Sequence, residues 1–91
     1  MPDVEIYTQP FCPYCMRAVN LLAKKGAAYR EIDAPHGSAA RAEARERSGG
    51  RTTVPQIFIG GQHIGGCDDL MALNAQGALD SLLNVADRQQ A

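Results

Sequence analysis

The sequence predicts an α/β protein in which a four-stranded mixed sheet carries helices on both faces. Two observations support this prediction. Near the N-terminus, a segment with strand-like alternation leads directly into a segment with helical spacing. In the second half of the chain, Gly60-Gly61 joins two short apolar segments, which is a strong hairpin signal. With the segments around them, these features predict the order β-α-β-α-β-β-α-α.

The first three elements predict a strand–helix–strand unit with parallel strands. Residues 4–8, "VEIYT", alternate apolar and polar side chains, as a strand does. Helical spacing follows Cys12, with Pro13 suited to the first helical position and Gly26 to the helix end. One face of this helix carries Cys15, Ala18, Val19 and Leu22. Residues 27–33, "AAYREID", predict the second strand, reached by a right-handed crossover.

The remaining elements complete the sheet and its two covering layers. Residues 38–48 predict an exposed helix ended by Gly49-Gly50, and we interpret its arginines as a solvated face rather than a binding site. The hairpin "PQIFIGGQHIGG" adds antiparallel strands. A helix then opens with Asp68 and Asp69, where the helix dipole favours acids. The last two helices are expected to turn inward Leu70, Leu73, Leu79, Leu82, Leu83 and Ala86. The tail, residues 88–91, is expected to fray.

Length, charge and composition narrow the class of protein. At 91 residues and 45% hydrophobic content, residues 1–91 are expected to form one domain. The net charge of -1 argues against nucleic acid or an anionic membrane as a partner. Every apolar run is far shorter than the ~20 residues of a membrane span. The N-terminus lacks the pattern of a secretory signal, so we expect a cytoplasmic protein, and stable disulfides are rare there.

Cys12 and Cys15 form a Cys-x-x-Cys pair at the predicted junction of the first strand and the first helix. Cys12 is expected at the N-cap, where free N–H groups and the helix dipole stabilise an anion. Its thiolate should therefore form with a pKa below the free value of about 8.5. Cys15 lies one turn further on, within reach of Cys12. A Cys-x-x-Cys pair in this position indicates a redox motif, with Cys12 attacking and Cys15 resolving the mixed disulfide.

Two other uses of the cysteine pair are less favoured. A zinc site would need two more ligands, and the candidates Cys67, His63 and His36 lack the paired spacing of metal ligands. We therefore expect no metal. A purely structural disulfide is less favoured still, because three cysteines do not make a disulfide framework.

Three motifs together resemble those of the dithiol glutaredoxins. They are "CPYC" from Cys12 to Cys15, "TVP" at Thr53, Val54 and Pro55, and "GGCDD" at residues 65–69. The resemblance extends from "VEIYT" to "LDSLL", and the three motifs in this order are specific to the family. It implies a thioredoxin-like fold and glutathione as the ligand and co-substrate.

The resemblance also implies how glutathione is bound. Pro55 is expected to be cis, with Thr53 steadying the loop and the Val54 backbone pairing with the cysteinyl part of glutathione. Gly66 would allow close approach of the ligand. The N–H groups of Cys67 and Asp68 would take the γ-glutamyl carboxylate.

Four further side chains complete the expected site. The Asp68 side chain would take the ligand's ammonium group, whereas Asp69 is expected to be chiefly a helix cap. Tyr14 would flank the glutathione sulfur. Gln9 stands where many family members carry a lysine, so it could hydrogen-bond the glycyl carboxylate without supplying charge. We consider two arginines as sources of that charge, Arg41 and Arg51.

Cys67 has two readings. We favour a small buried residue at the start of a helix over an oxidation-sensitive regulatory thiol.

The predicted function is a glutathione-dependent thiol–disulfide oxidoreductase that reduces protein disulfides and deglutathionylates proteins, in electron transport and cell redox homeostasis. Its expected partners are glutathione and disulfide-containing proteins, with ribonucleotide reductase suggested by the family, and the chain is expected to be a monomer. Two alternatives stay open. One is an iron–sulfur cluster carrier, against which Pro13 and Cys15 argue. The other is a glutaredoxin-like donor reduced by thioredoxin reductase, against which the acidic "CDD" corner argues.

Overall fold

The computed structural model describes residues 2–83 and shows the predicted order of elements. Its strands and helices are β1 (Val4–Thr8), α1 (Pro13–Lys24), β2 (Tyr29–Asp33), α2 (Ala39–Arg47), β3 (Gln56–Ile59), β4 (Gln62–Gly65), α3 (Cys67–Ala75) and α4 (Ala78–Leu83). Two predictions, the inward position of Ala86 and the fraying of residues 88–91, lie outside the described residues.

The four strands form one mixed sheet in the order β2-β1-β3-β4. Strand β1 pairs in parallel with β2, in a register that places Thr8 opposite Asp33. It pairs antiparallel with β3, which in turn pairs antiparallel with β4. The prediction of a parallel first pair extended by an antiparallel hairpin is confirmed. Because β1 is central, the segment that follows it emerges between its two neighbouring strands.

Helices cover both faces of the sheet, as predicted. The larger core lies under α1, α3 and α4, and its fully buried side chains include Ile6, Leu22, Ile57, Leu70, Leu79 and Leu83. The smaller core lies under α2 and comprises Tyr7, Ala34, Ala44 and Phe58. Alternation along β1 explains the division, since Ile6 and Tyr7 point to opposite faces.

The prediction that the α2 arginines form a solvated face is wrong for Arg47. Its guanidinium lies 4.0 Å from the centre of the Phe58 ring, and Nη1 donates to the Tyr7 hydroxyl at 2.8 Å. Nη2 donates to Glu5 at 3.0 Å. A guanidinium can stack on an aromatic ring and satisfy several acceptors at once, so this arginine packs where a lysine would not. These contacts fasten α2 to the sheet. Arg41 is the second exception, and its contacts belong to the site below.

Strand β2 begins at Tyr29, two residues later than predicted. Helix α1 is closed by Gly26, whose φ is 72°, and the N–H of Ala27 donates to the carbonyl of Leu22 at 3.1 Å. The N–H of Gly26 donates to Ala23 at 2.9 Å. These two bonds form a Schellman closure of the helix. The N–H of Ala27 is therefore bonded within the closure and is not available to a longer β2.

Candidate active site

Cys12 lies at the N-cap of α1, where its sequence position predicts it. Its backbone is extended, and its Sγ accepts a hydrogen bond from the N–H of Cys15 at 3.2 Å. The preceding residue, Phe11, has a φ of 59° and a fully exposed side chain. A left-handed conformation costs an ordinary residue about 1–2 kcal/mol. The rest of the loop therefore holds Phe11 in place against this cost.

Cys15 sits one turn inside α1 and is only 3% exposed. Burial, the larger cause, and the hydrogen bond with Cys12 together raise the pKa of the Cys15 thiol to about 12. Both cysteines are free thiols. The two sulfurs therefore differ in kind, since Cys12 is half-buried with its sulfur at a helix N-terminus, whereas Cys15 is enclosed and stays protonated at neutral pH.

The loop before β3 approaches Cys12 through its backbone. The Val54–Pro55 peptide bond is cis, as the resemblance implies, and the carbonyl oxygen of Val54 lies 4.0 Å from Cys12 Sγ. Gln56 anchors this loop, because its Nε2 donates to the carbonyl of Thr53 at 3.0 Å and to its hydroxyl at 3.3 Å. The prediction that Thr53 takes part in steadying the loop is thus supported by a contact.

The Gly65–Gly66 corner packs against this loop. Gly65 has a φ of 124°, and a Cβ there would lie 2.3 Å from a carboxylate oxygen of Asp69. A Cβ on Gly66 would lie 3.4 Å from the carbonyl oxygen of Pro55. Gly65 therefore needs glycine for its positive φ and for the close approach of Asp69, whereas Gly66 only contacts the proline loop, so that the corner and the loop form one continuous backbone surface.

Asp68 and Asp69 divide their tasks at the start of α3. The carboxylate of Asp69 accepts from the N–H of Gly66 at 2.8 Å and from Arg51 Nη1 at 3.1 Å. The hydrogen bond from the Gly66 N–H has the largest effect in lowering the pKa of Asp69, and the bond from Arg51 lowers it further. Asp69 is therefore a helix cap, as predicted. Asp68 is exposed, and the first N–H groups of a helix have no partner within it.

The third thiol lies in the same helix turn. Cys67 is buried, and burial raises the pKa of its thiol. The reading as a small buried residue is confirmed as far as its placement is concerned.

Arg41 brings a positive charge to Gln9. Its Nη1 donates to the side-chain carbonyl of Gln9 at 2.9 Å and to the backbone carbonyl of Ala34 at 3.0 Å. Its Nη2 donates to the carbonyl of Thr52 at 2.8 Å. Of the two arginines considered from the sequence, Arg41 is thus the one that lies at Gln9, whereas Arg51 is paired with Asp69.

The glutaredoxin family model matches residues 4–64, which is most of the chain. The chain belongs to the glutaredoxin family. "Glutaredoxin 3" of Escherichia coli (strain K12) is 59% identical over 83 residues, covering 91% of this chain and 99% of that protein. This glutaredoxin is therefore a thiol–disulfide oxidoreductase, an activity whose dependence on glutathione is typical of the family.

Solved structures confirm the thioredoxin-like fold. The solution structure of glutaredoxin from Brucella melitensis is 62% identical and covers 94% of this chain and 92% of that one, with a TM-score of 0.80. The crystal structure of a buckwheat glutaredoxin–glutathione complex is 35% identical, covers 91% of this chain and 77% of that one, and has a TM-score of 0.81.

Within residues 2–83, no three His, Cys, Asp or Glu side chains are grouped so as to hold a metal ion. Another solved structure, of a glutaredoxin studied for metal binding, is 63% identical to this chain. The match covers 91% of this chain and 89% of that protein, with a TM-score of 0.68. None of the helices between residues 2 and 83 has the length and apolar character of a membrane span.

Sequence reasoning missed two supports of the site in this glutaredoxin. Gln56 is fully buried, and its Oε1 lies 2.7 Å from His63 Nε2, so His63 indirectly holds the proline loop. Burial lowers the pKa of His63. The sequence carries one indication of this support, since Gln56, directly after Pro55, opens a strand whose other residues are all apolar. The structure also places Tyr14 at the surface, with Arg17 5.6 Å from its ring centre.

Proposed function

We propose that Cys12 is the nucleophile of this glutaredoxin and that Cys15 is the resolving thiol. The observation that carries the proposal is the difference between the two sulfurs. Cys12 Sγ is the hydrogen-bond acceptor at the N-terminus of α1, a position that stabilises a thiolate. Cys15 is buried, with a pKa raised to about 12, so it attacks only after Cys12 has been converted to a mixed disulfide beside it.

The same proposal gives glutathione a site on the backbone surface beside Cys12. Support comes from the buckwheat relative solved with glutathione and from the position of Val54, whose carbonyl lies 4.0 Å from Cys12 Sγ. The cysteinyl part of glutathione would pair with the Val54 backbone as an added strand does. The γ-glutamyl carboxylate would take the N–H groups of Cys67 and Asp68 at the start of α3, beside Gly66. The Asp68 carboxylate would take the ammonium group.

The opposite end of glutathione, its glycyl carboxylate, is proposed to bind at Gln9 and Arg41. The two side chains are hydrogen-bonded to each other, and the guanidinium is held by backbone carbonyls of Ala34 and Thr52. An arginine held in this way loses little conformational freedom when it binds a carboxylate. Tyr14 and Thr53 would border the ligand between these ends.

The proposed reaction is a pair of thiol–disulfide exchanges. Cys12 thiolate attacks the glutathionyl sulfur of a mixed disulfide, so that a Cys12–glutathione bond forms and the substrate leaves as a thiolate that takes a proton from water. A second glutathione thiolate then attacks the glutathionyl sulfur, releasing glutathione disulfide and restoring Cys12. With a protein disulfide, Cys15 instead displaces the substrate by closing the Cys12–Cys15 disulfide, which two glutathione molecules reduce.

Two serine variants test the roles. Cys12→Ser should abolish both deglutathionylation and protein disulfide reduction, since no other thiol at the site is accessible. Cys15→Ser should keep deglutathionylation and lose dithiol reduction. Cys67→Ser is the control, because it removes the third thiol but keeps the backbone N–H that is proposed to bind glutathione, and it should keep both reactions. Loss of deglutathionylation in Cys15→Ser, with the fold intact by circular dichroism, would show that the roles are wrongly assigned.

The protein partners proposed are glutathionylated and disulfide-containing proteins, with ribonucleotide reductase as one candidate, and the enzyme is proposed to act as a monomer in the cytoplasm. A reducing compartment would keep its thiols in the free form that the mechanism needs. Reduction of oxidised enzyme by glutathione, compared with reduction by NADPH and thioredoxin reductase, separates glutathione-dependent turnover from a thioredoxin-reductase-dependent donor. Faster reduction by the reductase would favour the donor.

Iron–sulfur cluster carriage is kept as a second candidate because of the 63% identical glutaredoxin studied for metal binding. Pro13 and Cys15 argue against it here. Anaerobic purification decides the matter, since visible absorbance that is lost with Cys12→Ser would establish a cluster, and a colourless protein with full oxidoreductase activity would exclude it.

A further inference from the structure

A cleft of about 410 Å³ opens beside the two cysteines on the side of β2. We call it the β2 cleft. The lining residues that matter here are Phe11, Cys12, Cys15, Met16, Glu31 and Asp33. Gln9, the proposed partner of the glycyl carboxylate, also lines this cleft, whereas Val54 and the α3 N-terminus, which form the rest of the proposed glutathione site, do not.

Sheet order explains why most of the proposed glutathione site lies outside the cleft. Strand β1 is central, with β2 on one side and β3 on the other. Cys12 follows β1, Val54 precedes β3, and Glu31 and Asp33 belong to β2. A mixed disulfide that lies across Cys12 with its glutathione half towards Val54 would therefore direct its protein half towards the β2 cleft.

The cleft carries two carboxylates without a cationic partner among residues 2–83. Glu31 accepts a hydrogen bond from the Thr8 hydroxyl at 2.8 Å, and no Lys, Arg or His in the described chain forms an ion pair with it or with Asp33. Other carboxylates of the same sheet and helices are neutralised, as Glu5 is by Arg47 and Asp69 by Arg51. Uncompensated charge of one sign in a cleft raises the local concentration of groups of opposite charge.

The cleft is also lined by two exposed apolar side chains. Phe11 is 103% exposed and Met16 is 61% exposed, and they are two of the three large hydrophobic side chains exposed in the described chain. Exposed aromatic and methionine side chains around a reactive group are typical of protein-recognition surfaces. A cleft lined by both apolar and acidic side chains matches a segment that carries apolar and basic residues.

We propose that the β2 cleft selects protein substrates whose reactive cysteine is flanked by basic and apolar residues. The proposal rests on the proposed function, because it assumes attack by Cys12. It adds that the protein half of the disulfide contributes to specificity through Glu31, Asp33 and Phe11, whereas glutathione borders the cleft only at its glycyl end, at Gln9.

The test uses two peptides, each a mixed disulfide with glutathione. One has the sequence Gly-Lys-Leu-Cys-Leu-Lys-Gly, and the other replaces both lysines by glutamate. Because deglutathionylation does not require Cys15, charge changes near that thiol do not affect the readout. At low salt we expect kcat/KM for the basic peptide to exceed that for the acidic one roughly 5- to 20-fold. The ratio should fall towards one in about 0.5 M NaCl.

The variant E31Q/D33N should reduce the ratio to less than about twofold while turnover of the small mixed disulfide of glutathione and 2-mercaptoethanol stays within about twofold. Asp3→Asn is the matched control, because it removes one exposed carboxylate before β1, at the other end of the strand from Cys12. It should leave the ratio unchanged. Phe11→Ser should lower kcat/KM for both peptides and spare the small disulfide.

The outcomes separate the two proposals. Equal kcat/KM for the two peptides, or a preference that survives E31Q/D33N, would overturn the proposed selection while leaving the Cys12 mechanism intact. If instead the small mixed disulfide is turned over by Cys12→Ser as well as by the parent protein, the proposed function itself fails.

Discussion

Cys12 and Cys15 are separated by only two residues yet face different environments. Proximity in sequence places both at the first turn of α1, but only the packing of that helix on the sheet decides that Cys15 is 3% exposed. Burial of a thiol disfavours its charged form. The proposed division of labour between the two cysteines therefore rests on helix geometry for one sulfur and on desolvation for the other.

At the scale of single residues, we expect Arg41→Ala to raise the KM for glutathione about 5- to 10-fold with kcat within about twofold, since a charge-assisted bond is worth roughly 1–1.5 kcal/mol at a partly exposed site. Steady-state kinetics at varied glutathione concentration measures the effect. The KM of Arg41→Lys should lie between that of the parent protein and that of Arg41→Ala. Lysine keeps the positive charge but lacks the forked guanidinium that contacts both Gln9 and Thr52.

Lys24→Ala is the control for this prediction. It removes an exposed positive charge from the last turn of α1, away from Gln9, and should leave KM unchanged. An unchanged KM in Arg41→Ala, or an equal rise in both variants, would contradict a role for Arg41 at the glycyl carboxylate.

At the scale of elements, the start of α3 combines a structural acid, Asp69, with an exposed acid, Asp68, that is proposed to bind the ligand. Asp69→Ala removes the bond to the Gly66 N–H and the pair with Arg51, so the free energy of unfolding should fall by about 1 kcal/mol. Urea denaturation measures it. Asp68→Ala should change stability by less than about 0.5 kcal/mol and raise the KM for glutathione. The reverse pattern would mean that the two roles are exchanged.

Elements also show how far the sequence predicts local structure. The Gly60-Gly61 hairpin is observed with φ values of 59° and 81°, because a tight turn between twisted strands needs two residues that tolerate positive φ. The predicted start of β2, at residue 27, is too early. The N–H of Ala27 donates to the carbonyl of Leu22 and so completes the Schellman closure of α1. Composition alone does not reveal that choice.

At the scale of the whole molecule, several pKa shifts make stability depend on pH in one direction. The pKa of Glu5 is lowered from 4.5, first by its hydrogen bond with Arg47, and that of Asp69 is lowered from 3.8. Each contributes stability that is present above these values and lost as the pH falls through the lower values of the folded state. Burial lowers the pKa of His63 from 6.5, so protonation of the unfolded chain adds to the loss.

We therefore expect Tm to decline as the pH falls from about 6.5, and more steeply below about 4.5. Calorimetry between pH 3 and pH 7.5 would show the decline. Glu5→Gln should flatten the acidic part of the curve while lowering Tm at neutral pH. A Tm that rises on acidification, or a curve for Glu5→Gln parallel to the original, would mean that these groups do not govern the acid limb.

The order of elements, the position of Cys12 at the start of a helix and the family could all be predicted from the sequence, because each depends on local chemistry: strand alternation, a proline at the first helical position, and short motifs of fixed spacing. The folded chain was needed to show which arginine reaches Gln9, how Gln56 and His63 hold the Pro55 loop, and that Glu31 and Asp33 share a cleft with the cysteines. These relations join segments that are distant in the chain, and sheet order and packing alone bring them together.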